Sequence, residues 1–215
     1  MSIPTLLDHV VIAGPDLPGL VEWFSGLTGV VAAPGGAHPT GTANALVALT
    51  VDGRRGPHYI ELIGPDPDRI DPEIPETFGI STLVEPRVQS YAVHPTDIDA
   101  TVAAARAAGY DPGDVSDLSR RTPDGTLLEW RLTRGEHRRI DVPFLIDWGT
   151  TPHPGFGDIP VIELVSFVRT EPDPEPLQQI LVAYGLGNGL AEVRAGDVSA
   201  FRLTLRRADG QLVEL

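Results

Sequence analysis

The chain has 215 residues, of which 41% are hydrophobic and 21% charged, with a formal net charge of −14. It contains no cysteine, which excludes disulfides, thiol nucleophiles and thiolate metal sites, and no lysine, which excludes Schiff-base chemistry and a phosphate-binding P-loop. The acidic excess repels phosphate backbones and anionic membrane surfaces, so neither nucleic acid nor membrane is an expected partner.

The length suits one large domain or two small ones. The 23 glycines and 21 prolines mark a loop-rich globular chain rather than a low-complexity one. The N-terminal residues lack a basic stretch followed by an apolar run, and no run of about 18 apolar residues occurs, so a soluble cytoplasmic protein is expected.

In chain order, His9 to Ile12 reads as a strand. Asp16 then caps an amphipathic helix carrying Leu20, Trp23, Phe24 and Leu27, which stops at Gly29. Strand-like runs follow at Val30 to Ala33, Ala43 to Thr50 and His58 to Ile63. The same order recurs with Ser90 to Val93, Asp97, an alanine-rich helix and Gly109, then strands around Val115, Thr126 to Thr133 and Val142 to Trp148. A third, shorter recurrence has Val161 to Arg169, a helix with Leu177, Ile180, Leu181 and Tyr184, then Ser199 to Arg207 and Leu212 to Leu215. The aspartate-to-glycine spacings are 13, 12 and 12. These runs divide the chain into a βαβββ module at 1–64, a connector at 65–87, a second βαβββ module at 88–149, a linker at 150–160 and a partial βαββ unit at 161–215.

The strings LDHVVIAGPDL (7–17), AHPTGTAN (37–44), YIELIG (59–64), RTPDGTLLEWRL (121–132) and VPFLIDWGTTPHP (142–154) resemble the glyoxalase-like domain family of the vicinal oxygen chelate superfamily. The resemblance implies an α+β fold in which paired βαβββ modules form a cupped eight-stranded sheet around a cavity. It also implies metal ligands on the first and fourth strands of each module. Carried over residue by residue, those positions are His9, Glu61, Ser90 and Asp147. Ser90 departs from the family pattern, and a neutral hydroxyl is a poor ligand for a divalent transition metal.

Strand alternation sorts the same residues by face. Phe144, Ile146 and Trp148 oppose Leu145 and Asp147. Leu128, Trp130 and Leu132 oppose Glu129 and Arg131, and Ile60 and Leu62 oppose Tyr59, Glu61 and Ile63. With helices on the convex side, the more apolar face is expected outward. That turns His9, Glu61, Ser90, Glu129, Arg131 and Asp147 into the cup, joined by Asn44. The bland alternative is that Glu129 and Arg131 only pair with each other or with Asp147.

His38 lies in the loop GGAHPTGTAN, as a binding residue at the cavity mouth or as a simple turn beside Pro39. His94 reads as a turn residue, His58 as facing away from Glu61, His153 as a linker residue and His137 as a solvated hairpin tip. No nucleophile elbow occurs, and GLGNG at 185–189 reads as a helix terminator, not a dinucleotide fingerprint.

Two functions fit. In the first, His9, Glu61 and Asp147 hold one divalent ion (Mn, Fe(II) or Zn). Glu61 or Glu129 is then the general base, and Arg131, His38, Asn44 and Ser90 hold a small oxygen-bearing substrate for isomerase, lyase or dioxygenase chemistry. In the second, the same cup binds or sequesters a small molecule without metal or turnover. The partial third unit has an exposed edge, so it packs on the two-module body or pairs with another copy as a homodimer.

Overall fold

The computed structural model describes residues 3–71, 73–135, 139–186 and 190–215. His137 and Gly187 to Gly189 of the GLGNG segment lie outside them.

The first strand, β1 (Leu7–Ala13), runs into helix α1 (Leu17–Thr28) through Asp16, whose carboxylate accepts the Gly19 N–H at 2.7 Å. The stripe Leu17, Leu20 and Phe24 then buries against the sheet. Strands β2 (Ala33–Ala37), β3 (Thr42–Val51) and β4 (Arg54–Pro65) complete the unit. The second unit repeats the order: β5 (Arg87–Val93), α2 (Ile98–Ala107), β6 (Asp114–Arg121), β7 (Leu127–Arg134) and β8 (Phe144–Asp147). Asp97 caps α2 by accepting the Ala100 N–H at 2.9 Å.

Within each unit the first and fourth strands pair in parallel, β1 with β4 and β5 with β8. The antiparallel pair β1–β5 joins the two units into one curved sheet. The third segment adds β9 (Val161–Glu171), α3 (Glu175–Ala183), β10 (Glu192–Ala195), β11 (Ala200–Arg206) and β12 (Leu212–Glu214). The outer edge of β3 is shared: β2 pairs along its first half and β9 along its last residues, so β9 extends the same sheet. Strand β10 was not among the expected elements. It spans four residues, too few for alternation to register, and pairs in parallel with Val168 to Glu171.

Apolar side chains fill both faces of the sheet. On the convex face Val10, Ile12, Ile60, Leu62 and Leu145 meet α1, α2 and the third segment. Tyr91 sits edge-on to Phe167 and Phe201, at 5.2 and 5.8 Å between ring centroids, and the Tyr184 hydroxyl donates to the Pro143 carbonyl at 2.8 Å. The third segment therefore packs on the two-unit body, each buried aromatic contributing roughly 1.5–3 kcal/mol. The concave face carries its own cluster: Val11, Leu46, Tyr59, Ile63, Trp130, Phe144, Ile146 and Trp148.

That cluster corrects the expected orientation of the second unit. Trp130, Phe144, Ile146 and Trp148 face the cup, whereas Glu129, Arg131 and Asp147 face the convex side. Helix α2 is short and alanine-rich and reaches only part of the sheet behind it. The outer face of β7 takes the polar residues, with Glu129 exposed, Arg131 reaching Asp99 of α2 and Thr133 buried against Leu145, and the cup takes the apolar ones.

The rim strands β2 and β6 approach each other across the cup, where Arg120 donates to the Gly35 carbonyl. Gly36 permits this: a Cβ there would lie 2.4 Å from the Arg121 carbonyl oxygen. Gly35 instead makes room for the Asn44 side chain of β3, whose Oδ1 would lie 2.1 Å from a Cβ at that position.

Candidate functional site

The site is built from a defect in β1. Its pairing with β5 shifts between Leu7, opposite Val93, and His9, opposite Ala92, so Asp8 has no cross-strand partner. Such a bulge re-aims a side chain. Asp8 Oδ1 meets His9 Nδ1 at 2.8 Å, and Oδ2 accepts from Trp148 Nε1 and His153 Nε2, each at 3.1 Å. His94 Nδ1 stands 3.5 Å from the same oxygen.

Asp8 is fully buried. Burial works to raise its pKa, but hydrogen bonds from His153, His9 and His94 outweigh it and hold the carboxyl well below the usual carboxylate range. An ionised carboxylate only accepts, so His9 Nδ1 and His153 Nε2 carry their hydrogens. The Gly155 N–H donates to His153 Nδ1 at 3.0 Å, which agrees with that tautomer. With Nδ1 committed to Asp8, His9 presents Nε2 to the cup. Its ring stacks on Tyr59 at 4.5 Å and meets the edge of Phe144 at 5.4 Å.

Across the cup, Glu61 Oε2 lies 3.8 Å from His9 Nε2. Glu61 Oε1 accepts from the Asn44 amide at 2.6 Å. The same amide nitrogen lies 3.4 Å from His38 Nε2, and His38 Nδ1 is 2.9 Å from Thr42 Oγ1. Burial pushes the His38 pKa down, which keeps a neutral imidazole that accepts from Asn44 and donates to Thr42. Asn44 Oδ1 is buried without a hydrogen-bond partner. The resulting array, Asp8–His9···Glu61–Asn44–His38, borders a cavity of about 370 Å³ walled by Tyr59, Phe78, Trp130, Phe144 and Trp148. Burial raises the Tyr59 pKa well above the ordinary value, so its phenol stays protonated.

Of the residues expected from sequence, His9, His38, Asn44 and Glu61 line this cavity. Ser90 is opposite Val11, fully buried and not part of the lining. Glu129 is exposed and its backbone N–H donates to Thr151. Arg131 makes a two-pronged contact with Asp99 of α2, at 2.8 and 2.9 Å, and Asp147 accepts the Gly149 N–H at 2.8 Å. These three lie behind the sheet, away from His9.

Sequence reading missed Asp8, His153 and Arg120. Asp8 is next to His9, but alternation assigns neighbours to opposite faces and a bulge leaves no trace in the residue pattern. Arg120 comes from the far end of β6, the strand expected around Val115, whose polar sequence DVSDLSRR has no alternation to show which face is buried. Its facing follows from pairing: Leu118 is opposite Trp130 and Arg120 opposite Leu128.

The expected metal set does not form. Asp147 is on the other face, Glu61 Oε1 is engaged by Asn44, and His9 Nδ1 by Asp8. Among the described residues no group of three or more His, Asp or Glu side chains is placed to hold a metal ion. No helix among them is long and apolar enough to cross a membrane.

A family model described as a glyoxalase-like domain matches residues 7–185. No curated protein matches the chain. Among solved structures, a hypothetical protein from Staphylococcus aureus is 15% identical with a TM-score of 0.60, over 97% of both chains, which shows a shared fold. Methylmalonyl-CoA epimerase from Mycobacterium tuberculosis is 22% identical with a TM-score of 0.43, over 69% of this chain and 91% of that one. A xylose isomerase-like TIM barrel/4-hydroxyphenylpyruvate dioxygenase fusion protein is 19% identical with a TM-score of 0.37, over 97% of this chain and 31% of that one.

Proposed function

The chain belongs to the glyoxalase-like domain family, and from that premise we propose that its cup is an enzyme site for proton transfer on a small oxygen-bearing organic substrate. The observation that carries the proposal is the facing pair His9 Nε2 and Glu61 Oε2, 3.8 Å apart inside an aromatic-walled cavity.

The two groups differ in what holds them. Asp8 fixes the His9 ring and its tautomer, as a carboxylate does for a general-base imidazole. Asn44 holds Glu61 by one oxygen and leaves the other directed at His9. A substrate carbon acid seated against this pair, which is too close to admit a carbon between its members, loses its α-proton to one group. The electron pair is taken up by the neighbouring carbonyl as an enolate, and the other group returns a proton to carbon or oxygen. No step is routed through a metal, because the donor set does not assemble.

Proton NMR in deuterium oxide, with a panel of small 2-oxo acids, ketones and aldehydes, tests this reading. Wild type is expected to exchange an α-proton of at least one compound, and His9→Asn and Glu61→Gln to lose that exchange. An apolar lining rich in Trp, Tyr and Phe also favours a second reading, binding or sequestration without turnover. Saturable binding with no exchange in wild type would select it.

A further inference from the structure

One buried cation in the cup has no carboxylate in contact with it; Glu61, in the same cavity, acts on it only from a distance. Arg120 is 6% exposed and lines the cavity, and its hydrogen bond is to the neutral Gly35 carbonyl. Among the described residues no carboxylate comes within 4 Å of it. Several other arginines have a carboxylate, Arg106 with Asp111 and Asp114, Arg131 with Asp99, Arg139 with Asp141 and Arg169 with Glu171, while Arg55, Arg69 and Arg121, which donate only to carbonyls, are more exposed than Arg120. The chain holds 30 acidic residues against 16 basic ones, so acids are abundant, yet none is placed against the most enclosed of these guanidinium groups.

A buried charge without a partner is strongly unfavourable unless something else pairs with it. A guanidinium has five N–H donors, and the Gly35 carbonyl engages one nitrogen. Its planar fork matches a carboxylate. The ionisable Glu61 in the same cavity makes a singly charged planar anion a better fit than a phosphate dianion.

We propose that Arg120 is the specificity-determining residue of the cup and that it binds the carboxylate of the substrate, which is therefore a small organic acid. The proposal rests on the cup being the substrate site and narrows the substrate class given above. The acid would lie with its carboxylate at the β6 rim and its reacting carbon toward His9 and Glu61.

Calorimetric titration at low salt tests it, with a series of 2-oxo acids from pyruvate to phenylpyruvate, each beside its own amide. At least one acid is expected to bind, about 10-fold or more tightly than its amide, the margin a charge-assisted pair provides over a neutral one. Arg120→Gln should erase that preference. Arg120→Lys keeps the charge without the fork and should lower it, and it serves as the decisive variant if Arg120→Gln does not give a cooperative thermal transition. The proposal is overturned if no acid binds, if amides bind as tightly as acids, or if both variants retain the full preference. His9→Asn should keep the acid preference while losing proton exchange. Failure of the proton-transfer reading thus shows as acid preference without exchange, and failure of the present one as exchange without preference.

Discussion

Asp8 and His9 are consecutive in β1, yet the Asp8 carboxylate lies 2.8 Å from the His9 Nδ1. Neighbours on a regular strand point to opposite faces, so this contact exists only because the strand bulges there. The bulge gives an imidazole in the cup a buried anion behind it. The linker residue His153 and the aromatic residue Trp148 close the same carboxylate from the other side.

Asp8→Asn removes the charge that three imidazoles share, and a loss of about 3 kcal/mol is expected near neutral pH. The wild-type carboxyl has its pKa depressed below the ordinary 3.8, so its stabilisation is complete above that value and fades as the pH falls through the lower folded value. Urea denaturation of both proteins from about pH 3 to 7 checks this. The difference between them should widen from pH 7 to about 5, because the same carboxylate raises the His94 pKa and that contribution is lost as pH rises, and it should shrink only below about pH 4, where Asp8 itself begins to protonate. A difference that already shrinks between pH 7 and about 5 would contradict the ionised state assigned to Asp8.

Asn44→Asp places a second carboxylate 2.6 Å from Glu61 Oε1, where the amide now donates. Two such groups cannot both ionise at that separation, and one must keep its proton. Stability of the variant should therefore fall as pH rises from about 5 to 8, by about 1–3 kcal/mol relative to wild type. Chemical denaturation at the two ends of that range measures it.

Alanine at Glu129, Arg131 or Asp147 should leave ligand binding in the cup unchanged, since all three lie on the convex side. The Arg131–Asp99 pair is largely exposed and screened by solvent, so its loss should leave stability nearly unchanged. Parallel titrations of the three variants with any acid that binds wild type test the orientation of β7 and β8.

Phe167→Ala removes a fully buried ring that stacks on Phe201 and meets the edge of Tyr91. A destabilisation of about 3–5 kcal/mol is expected, with a single cooperative transition, because the third segment shares its core with the two-unit body. Thermal and urea melts monitored by circular dichroism distinguish this from independent melting of residues 161–215.

Much of this protein is legible without coordinates. Capping aspartates at 16 and 97, apolar stripes at helical spacing and β-branched runs at period two are local signals, and they locate two βαβββ units and the helix and long strands of the third segment. His9, Asn44 and Glu61 could be aimed at one cavity for the same reason: both faces of β1, β3 and β4 are buried, so alternation along each strand is constrained on either side. The second unit was different. Which face of β7 and β8 turns inward depends on how far α2 covers the sheet behind them, and that is a property of packing between elements distant in the chain. The bulge that aims Asp8 in the β1–β5 pairing, the approach of β2 to β6 at Gly36 and the burial of Arg120 are likewise settled by strands distant in the chain. The chain's local periodicities chose its elements; long-range packing alone decided which side chains those elements brought face to face.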